Sequence, residues 1–295
     1  MFDLVSIGHV ARDEFEGEPD WRLGGTALYS AAAAARLGAR TALLTRVGPG
    51  ERERLALRCR ALGLELHALA SEATTTFAFR YVAGERRLRL RARAKGLAAD
   101  AVPEALWQTR SVVFGSIAHE LDPSLFAAFR AVPRVLAAQG YLRTWDADGT
   151  IRRRDWDEAA DVLGRVSVAV VSEDDIEADL DLARRWSQTA PVLVTLAERG
   201  AVLLGRGREI VVEGFRAERV VDPTGAGDAF CAGLALSLAE GDQLETAARF
   251  ANAVASFAVE DIGLDGLATR DRVESRMRAH PSPSTSSSSG GGKTA

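Results

Sequence analysis

"VVDPTGAGDAFCAGLALSLAEG", Val220 to Gly241, is the stretch from which the rest of the chain is read. Two β-branched residues give way to Pro223 and Thr224, and Gly225 and Gly227 then flank Ala226. Asp228 follows, and after it come small and apolar residues at helical spacing. A helix N-terminus carries unpaired N–H groups and roughly half a positive charge. Gly225, Ala226 and Gly227 have no bulk that would keep a phosphate from those groups, so the loop reads as an anion hole. No Lys-Ser/Thr follows, so it is not a Walker loop, and the later Gly of a dinucleotide fingerprint is missing. A Gly-x-Gly ahead of a helix is also what a tight strand-to-helix turn needs, with Asp228 as a favourable acid in the first turn.

Asp228 separates the two readings. A carboxylate beside a phosphoryl group is repelled by it and makes a poor structural acid there. The repulsion disappears if a substrate hydroxyl sits between them. The carboxylate then takes the hydroxyl proton as the oxygen attacks, and the N–H groups stabilise charge on the transferring group. The stretch therefore predicts phosphoryl transfer to an alcohol.

Bulk properties narrow the class. The chain has 295 residues, 47% of them hydrophobic, with a formal net charge of -4. That length holds one large domain or two modest ones, and a slightly acidic balance argues against nucleic-acid binding. The opening MFDLVSIGHV lacks a basic n-region and already carries Asp3, so it does not read as a signal peptide. No apolar run approaches the roughly 20 residues of a membrane helix. Cys59 and Cys231 stand far apart in predicted helices, which suggests reduced thiols and a cytoplasmic protein.

Leu4 to Gly8 and Thr41 to Val47 read as buried strands, with a helix over Thr26 to Leu37 between them. Glu51 to Leu62 reads as a helix and Leu64 to Leu69 as a strand. This alternation is that of an α/β fold with a parallel sheet. It resumes at Ser111–Gly115, Arg134–Ala138, Val166–Val171, Val192–Leu196 and Ala201–Leu204, and helices close the chain at Gly227–Ala239, Leu244–Val259 and Thr269–Arg278. Between the two blocks, Thr74–Val82 and Arg87–Ala94 alternate with period two and read as an antiparallel hairpin turning at Ala83-Gly84-Glu85. Arg87, Arg89, Arg91 and Arg93 share one face. They are either a solvated edge that resists aggregation or a flap over an anionic ligand. Residues 281–295 hold nothing that can build a core and read as a disordered Pro/Ser/Gly tail.

Asp222 to Phe230 resembles the C-terminal signature of the ribokinase-like (PfkB) carbohydrate kinases. Gly24-Gly25 with its Ala-rich helix and Leu37-Gly38 resembles the N-terminal signature. Gly8 followed by Asp13, and Val194-Thr195-Leu196 with Gly200, fit the same pattern. The resemblance implies a ribokinase-like three-layer α/β/α sandwich over residues 1–280, with a mostly parallel central sheet and a small β lid at about 9–24 and 72–96. It implies an enzyme that transfers the γ-phosphate of ATP to a hydroxyl of a sugar, polyol or nucleoside, using Mg2+ and in some members a monovalent cation. Residue by residue, Asp228 becomes the general base and Gly225, Ala226 and Gly227 the anion hole. Asp13, Gly24 and Gly25 face the acceptor. Ser172, Thr195, Gly200, Thr224 and Asn252 face the nucleotide. The lid of such kinases also implies a homodimer.

The chain departs from the family pattern at several points. Tyr29 stands where many members have Asn, Ala197 where a nucleotide-turn Gly is usual, and Gly50 where Asp is common. The Asn-x-x-Glu motif is here Ser172 to Asp175, with Asp175 able to act on Mg2+ through water. Gln139 and Arg143 follow a predicted strand, at the edge where open α/β sheets bind ligands, and are candidate pocket residues. His119-Glu120 reads as a surface loop pair. The rival to an enzyme is a non-catalytic sugar- or nucleotide-binding protein of the same fold.

Overall fold

The protein is described by a computed structural model over residues 1–82 and 85–281. Fifteen strands are described: Leu4–Ile7 (β1), Ala11–Phe15 (β2), Trp21–Gly24 (β3), Thr41–Val47 (β4), Glu65–Ala70 (β5), Thr75–Val82 (β6), Glu85–Ala92 (β7), Val112–Gly115 (β8), Arg134–Ala137 (β9), Arg143–Trp145 (β10), Ile151–Arg153 (β11), Val168–Ser172 (β12), Val192–Thr195 (β13), Gly200–Gly205 (β14) and Arg208–Glu213 (β15). Nine of them form one sheet in the order β15-β14-β13-β12-β9-β8-β1-β4-β5. Pairing is parallel from β13 to β5, and β14 and β15 add antiparallel.

Side-chain alternation in the central strands explains the three layers. Leu4, Leu43, Val113, Val135, Val168 and Val170 face a core shared with the helices Thr26–Arg36, Ala226–Glu240 and Leu244–Ala258. Val5, Ile7, Leu44, Phe114, Leu136 and Val171 face the opposite core, under Pro123–Ala128, Ala159–Leu163 and Leu180–Trp186. A sheet covered on both faces needs apolar residues at every strand position, which is why these strands read as continuous runs. Phe114, Phe126 and Phe230 are among its fully buried side chains, each worth about 1.5–3 kcal/mol of transfer free energy.

A second sheet of four strands, β3-β2-β6-β7, stands over one end of the first. It is mixed: β2 pairs antiparallel with β3 but parallel with β6, and β6 pairs antiparallel with β7. Phe77, Phe79 and Leu90 pack beneath it with Ile117 and Ala118. This is the small β lid of a ribokinase-like sandwich. The expected turn at Ala83-Gly84-Glu85 lies outside the described residues except for Glu85, and so do residues 282–295 of the expected tail.

Three features differ from the sequence reading. The short hairpin β10–β11 was not expected, nor was β15, in which charged residues interrupt the apolar pattern. His119-Glu120 is not a surface pair. Glu120 is buried and accepts hydrogen bonds from the N–H groups of His9, Ile117 and Ala118, at 3.2, 2.9 and 2.8 Å. Four buried donors, counting the Ser116 hydroxyl at 3.3 Å, are what let a carboxylate sit in the core. His119 takes up a left-handed backbone with φ 55° and its Nε2 donates to the Arg143 carbonyl at 2.5 Å.

Candidate active site

Strand order reverses direction at β1, which has β8 on one side and β4 on the other. Ligands of open α/β sheets bind outside the carboxyl ends of strands at such a switch point. A cleft of about 380 Å³ opens there. It is lined from the strand ends by Ala137, Val171, Ser172 and Thr195, from the lid by Ala11, Asp13, Phe77, Phe79 and Leu88, and from the glycine loop by Thr224, Gly225, Gly227 and Asp228.

The loop takes the shape its composition demands. Asp222 Oδ1 accepts from the Thr224 N–H at 2.9 Å and sets the turn. Gly225 then adopts φ 85° and caps the helix Ala226–Glu240. A side chain at Gly225 would also collide with the Tyr29 ring, 2.1 Å from where its Cβ would lie. The Asn-to-Tyr departure therefore places an aromatic wall against the loop rather than a hydroxyl-binding amide in the cleft. The first helical bond runs from the Ala229 N–H to the Gly225 carbonyl at 2.8 Å, so the Gly227 and Asp228 N–H groups lie ahead of that bond, at the open end of the helix.

Asp228 sits on the first turn, where the Ser30 hydroxyl holds its backbone carbonyl at 2.9 Å. Burial pushes its carboxyl up to about 6; a hydrogen bond from Thr26 and the charge of Arg143 act in the opposite direction, and Asp175 adds to the rise. A carboxyl tuned near neutrality suits a general base better than one at its ordinary value. Cys231, one turn further on, also lines the cleft, and burial raises its thiol well above the ordinary range. Cys59 and Cys231 are both free and buried.

Asp13 lies on β2, and its carboxylate fills the space above Gly24: a Cβ on that glycine would sit 2.0 Å from Oδ2. Gly24 thus makes room for Asp13 rather than lining the cleft itself. On the other wall, the Arg143 Nη2 donates to Gln139 Oε1 at 2.7 Å, and Gln139 Nε2 donates to the Thr26 hydroxyl at 2.9 Å. The Ser172-to-Asp175 turn is closed by two reciprocal bonds of 3.0 Å, from the Ser172 N–H to Asp175 Oδ2 and from the Asp175 N–H to Ser172 Oγ. Serine thus supports this turn, and Asp174 and Asp175 line the cleft together. Their hard carboxylate oxygens fit Mg2+ held through water.

The structure brings Asp13, Gly25, Gln139, Arg143, Ser172, Asp175, Thr195, Thr224, Gly225, Gly227 and Asp228 to one cleft. Gly24, Gly200, Ala226 and Asn252 are not among its lining residues. Gly200 opens β14, packed against β15, and the buried Asn252 donates from its amide to the Val212 and Glu213 carbonyls, both at 3.1 Å. Thr26, Tyr29 and Ile117 line the cleft without having been expected to. Thr26 and Tyr29 had a signal in sequence, their place on the helix that follows Gly24-Gly25.

An α/β/α sandwich with an acid behind a glycine loop and a β lid over it defines the ribokinase-like class. The pfkB family carbohydrate kinases match residues 3–269, and the chain belongs to that family. It is 41% identical over 86 residues to the ribokinase of Bacillus subtilis (strain 168), covering 29% of each chain. It is 34% identical over 128 residues to the inositol 3-kinase of Arabidopsis thaliana, covering 42% of this chain and 35% of that one. These matches span about a third of the length of the curated relatives. The fold is also that of a pyrophosphate-dependent kinase in the ribokinase family complexed with a pyrophosphate analog and myo-inositol, with TM-score 0.78, 23% identity and coverage of 92% and 99%. Arabidopsis thaliana ribokinase complexed with ribose and ATP gives TM-score 0.74, 21% identity and coverage of 94% and 99%.

Proposed function

We propose that this protein is an ATP-dependent kinase that phosphorylates a hydroxyl of a sugar, polyol or nucleoside. The observation that carries the proposal is that Asp228, the open end of its helix and Asp13 all face one cleft. Asp228 takes the acceptor's hydroxyl proton as the oxygen attacks the γ-phosphorus. The bond from that phosphorus to the bridging oxygen breaks, and ADP leaves. Gly225 and Gly227, with the open N–H groups of Gly227 and Asp228, form the anion hole for the transferring group; the Ala226 N–H, counted with them from the sequence, is instead taken by the Pro223 carbonyl at 3.3 Å. Asp13 accepts hydrogen bonds from two neighbouring hydroxyls, one on each oxygen, which favours an acceptor with a vicinal diol. Gln139 and Arg143 stand at the same end, and Gly24 and Gly25 shape the approach.

Ser172, Thr195 and Thr224 belong to the donor end. Gly200 and Asn252 act there by holding the β14–β15 corner in place. Asp175 would hold Mg2+ through water, and the cation would neutralise charge on the phosphates. Occupation by a monovalent cation and pairing of two chains through the lid, whose outer strands are β3 and β7, are parts of the same proposal.

An ADP-release screen over an alcohol panel tests the reading, followed by Asp228→Asn on the best acceptor. Turnover should fall by roughly 10²–10⁴ with ATP binding retained. Near-normal turnover in the variant overturns the base assignment. Binding of sugar or nucleotide with no ADP release from any acceptor supports the non-catalytic alternative.

A further inference from the structure

We propose that the turn of the β10–β11 hairpin is a latch that fixes the lid over the acceptor end of the cleft, with Gly149 as its positioning residue. Its part in acceptor binding rests on the kinase reading. The latch itself rests on contacts between the hairpin and the lid.

The outer strand of the lid needs a cover. β6 takes one edge of β7, and a bare second edge would present unpaired N–H and C=O groups. The hairpin turn reaches that edge. The Leu90 N–H donates to the Gly149 carbonyl at 2.8 Å, and Arg89 and Thr150 form an antiparallel bridge. Arg89 Nη2 donates to the Asp148 carbonyl and, at 3.1 Å, to Asp148 Oδ2. Only glycine permits this approach. Gly149 holds φ 85°, and a Cβ there would lie 2.3 Å from the Leu90 carbonyl oxygen. At the root of the turn, Trp145 and Ile151 pack against the core of the lid. The alternating arginines share in the same task. Arg91 donates to Glu14 on β2 at 2.9 Å, and Arg93 donates to the Ala118 and His119 carbonyls at 2.6 and 2.5 Å.

Register carries the latch to the acceptor end. Leu90 stands opposite Phe77, and Phe77 opposite Asp13, so Gly149, Leu90, Phe77 and Asp13 form one row across the lid. Phe77 and Asp13 line the cleft, as does Leu88, two residues along β7 from Leu90. The first residue of β10, Arg143, lines it too and pairs with Arg153 of β11. A displaced turn therefore shifts the ceiling and one wall of the acceptor site. It leaves Ser172, Thr195 and Thr224, at the proposed donor end, where they are. The Arg89–Asp148 pair is exposed, and such pairs contribute little. Most of the hold comes from the backbone bond and the apolar packing.

The experiment uses the full chain. Gly149→Asn keeps the left-handed turn, which Asn tolerates, and sets a Cβ against the Leu90 carbonyl. Amide exchange at Leu90, followed by NMR without substrate, should quicken about tenfold as its bond to the turn is lost, while the amides of β13 exchange as before. ADP release is then measured over an alcohol panel that includes ribose, myo-inositol and inosine. For any acceptor that is phosphorylated, KM should rise about tenfold with kcat and the ATP KM within about twofold, the split expected of lost binding rather than lost chemistry. Arg89→Met, which leaves the backbone of the turn intact, should move both readings about threefold. Unmoved Leu90 exchange in folded Gly149→Asn overturns the latch. Faster exchange with an unmoved acceptor KM overturns its positioning role. Should the asparagine variant fail to fold, Arg89→Met decides both points in the same way. The exchange measurement needs no turnover. Failure of every acceptor therefore defeats the kinase reading and leaves the exchange result to judge the latch, whereas a failed latch leaves the kinase reading standing.

Discussion

The two ends of the cleft are built differently. At the Asp228 end, donors and acceptors are interlocked and largely shielded: Thr26 and Ser30 are buried, and Gln139 and Arg143 half-buried. At the proposed donor end, Ala197, Glu198 and Arg199 form an exposed turn, and Arg199 makes an ion pair with Glu173 above the ends of β12 and β13. The departures from the family pattern at Ser172, Asp175 and Ala197 fall at this second end, whereas Tyr29, against Gly225, is a departure at the first. The difference teaches where chemistry fixes residue identity. A proton acceptor and an anion hole each admit few solutions, whereas a turn admits any pair of groups that closes it, as Ser172 and Asp175 do here.

The sharpest way to break the comparison is Gly227→Val. A Cβ there meets no atom within 4 Å, so the fold should survive while a branched side chain occupies the phosphate's approach. Loss of the anion hole should lower turnover by roughly 10²–10³. A folded variant with normal turnover, read by ADP release and circular dichroism, means that no phosphate docks at this helix end.

Asp13→Ala tests the acceptor end. Hydrogen bonds to a charged group are worth roughly 1.5–3 kcal/mol, which corresponds to a tenfold to hundredfold rise in acceptor KM with ATP affinity held. Equal phosphorylation of a simple monohydroxy alcohol and the best polyol, or an unaltered KM in the variant, removes Asp13 from the site.

The cost of the Asp228 charge is measurable without any substrate. Its folded value of about 6 lies above the 3.8 of an ordinary Asp, so the folded protein binds this proton more tightly than the unfolded chain does. The penalty is fully present above about pH 6 and vanishes as pH falls below about 4. Asp228→Asn should therefore be more stable than the natural protein by about 1–3 kcal/mol at pH 8, with the gap closing by pH 4. Urea denaturation at the two pH values reads it; a variant less stable at pH 8 gives the shift the wrong sign.

What could be read in the sequence follows the same division. The glycine loop and the central strands were legible because each has a local signal: small residues before a helix and continuous apolar runs in doubly covered strands; Asp13 was named through the family resemblance, and the structure places it in the cleft lining. Gln139 and Arg143 came from the rule that ligands meet strand ends. Thr26 was passed over despite its place on the helix after Gly24-Gly25, because its partner Gln139 lies 113 residues away. Strands β2 and β3, ARDEF and WRLG, carry charged residues that a two-faced lid tolerates and were located only through the lid that the resemblance implied. Glu120 was misplaced because only its three-dimensional setting supplies the donors that allow it to be buried.

Ala197 marks the smallest effect and the clearest case of tolerance at the donor end. It holds φ 51° in the turn between β13 and β14, a left-handed backbone that costs an L-residue roughly 1–2 kcal/mol. Glycine carries no such strain, but its unfolded chain is freer, which returns roughly 0.5–1 kcal/mol. Ala197→Gly should accordingly stabilise the protein by about 0.5 kcal/mol, or 1–2 °C in Tm for a chain of this size. Because the residue is exposed and absent from the cleft lining, the ATP KM should stay within about twofold, as expected of a substitution away from bound groups. A drop in stability shows that the alanine is not strained. A large fall in ATP KM shows instead that the backbone of this turn limits nucleotide binding, and that the donor end is held to its geometry as tightly as the Asp228 end.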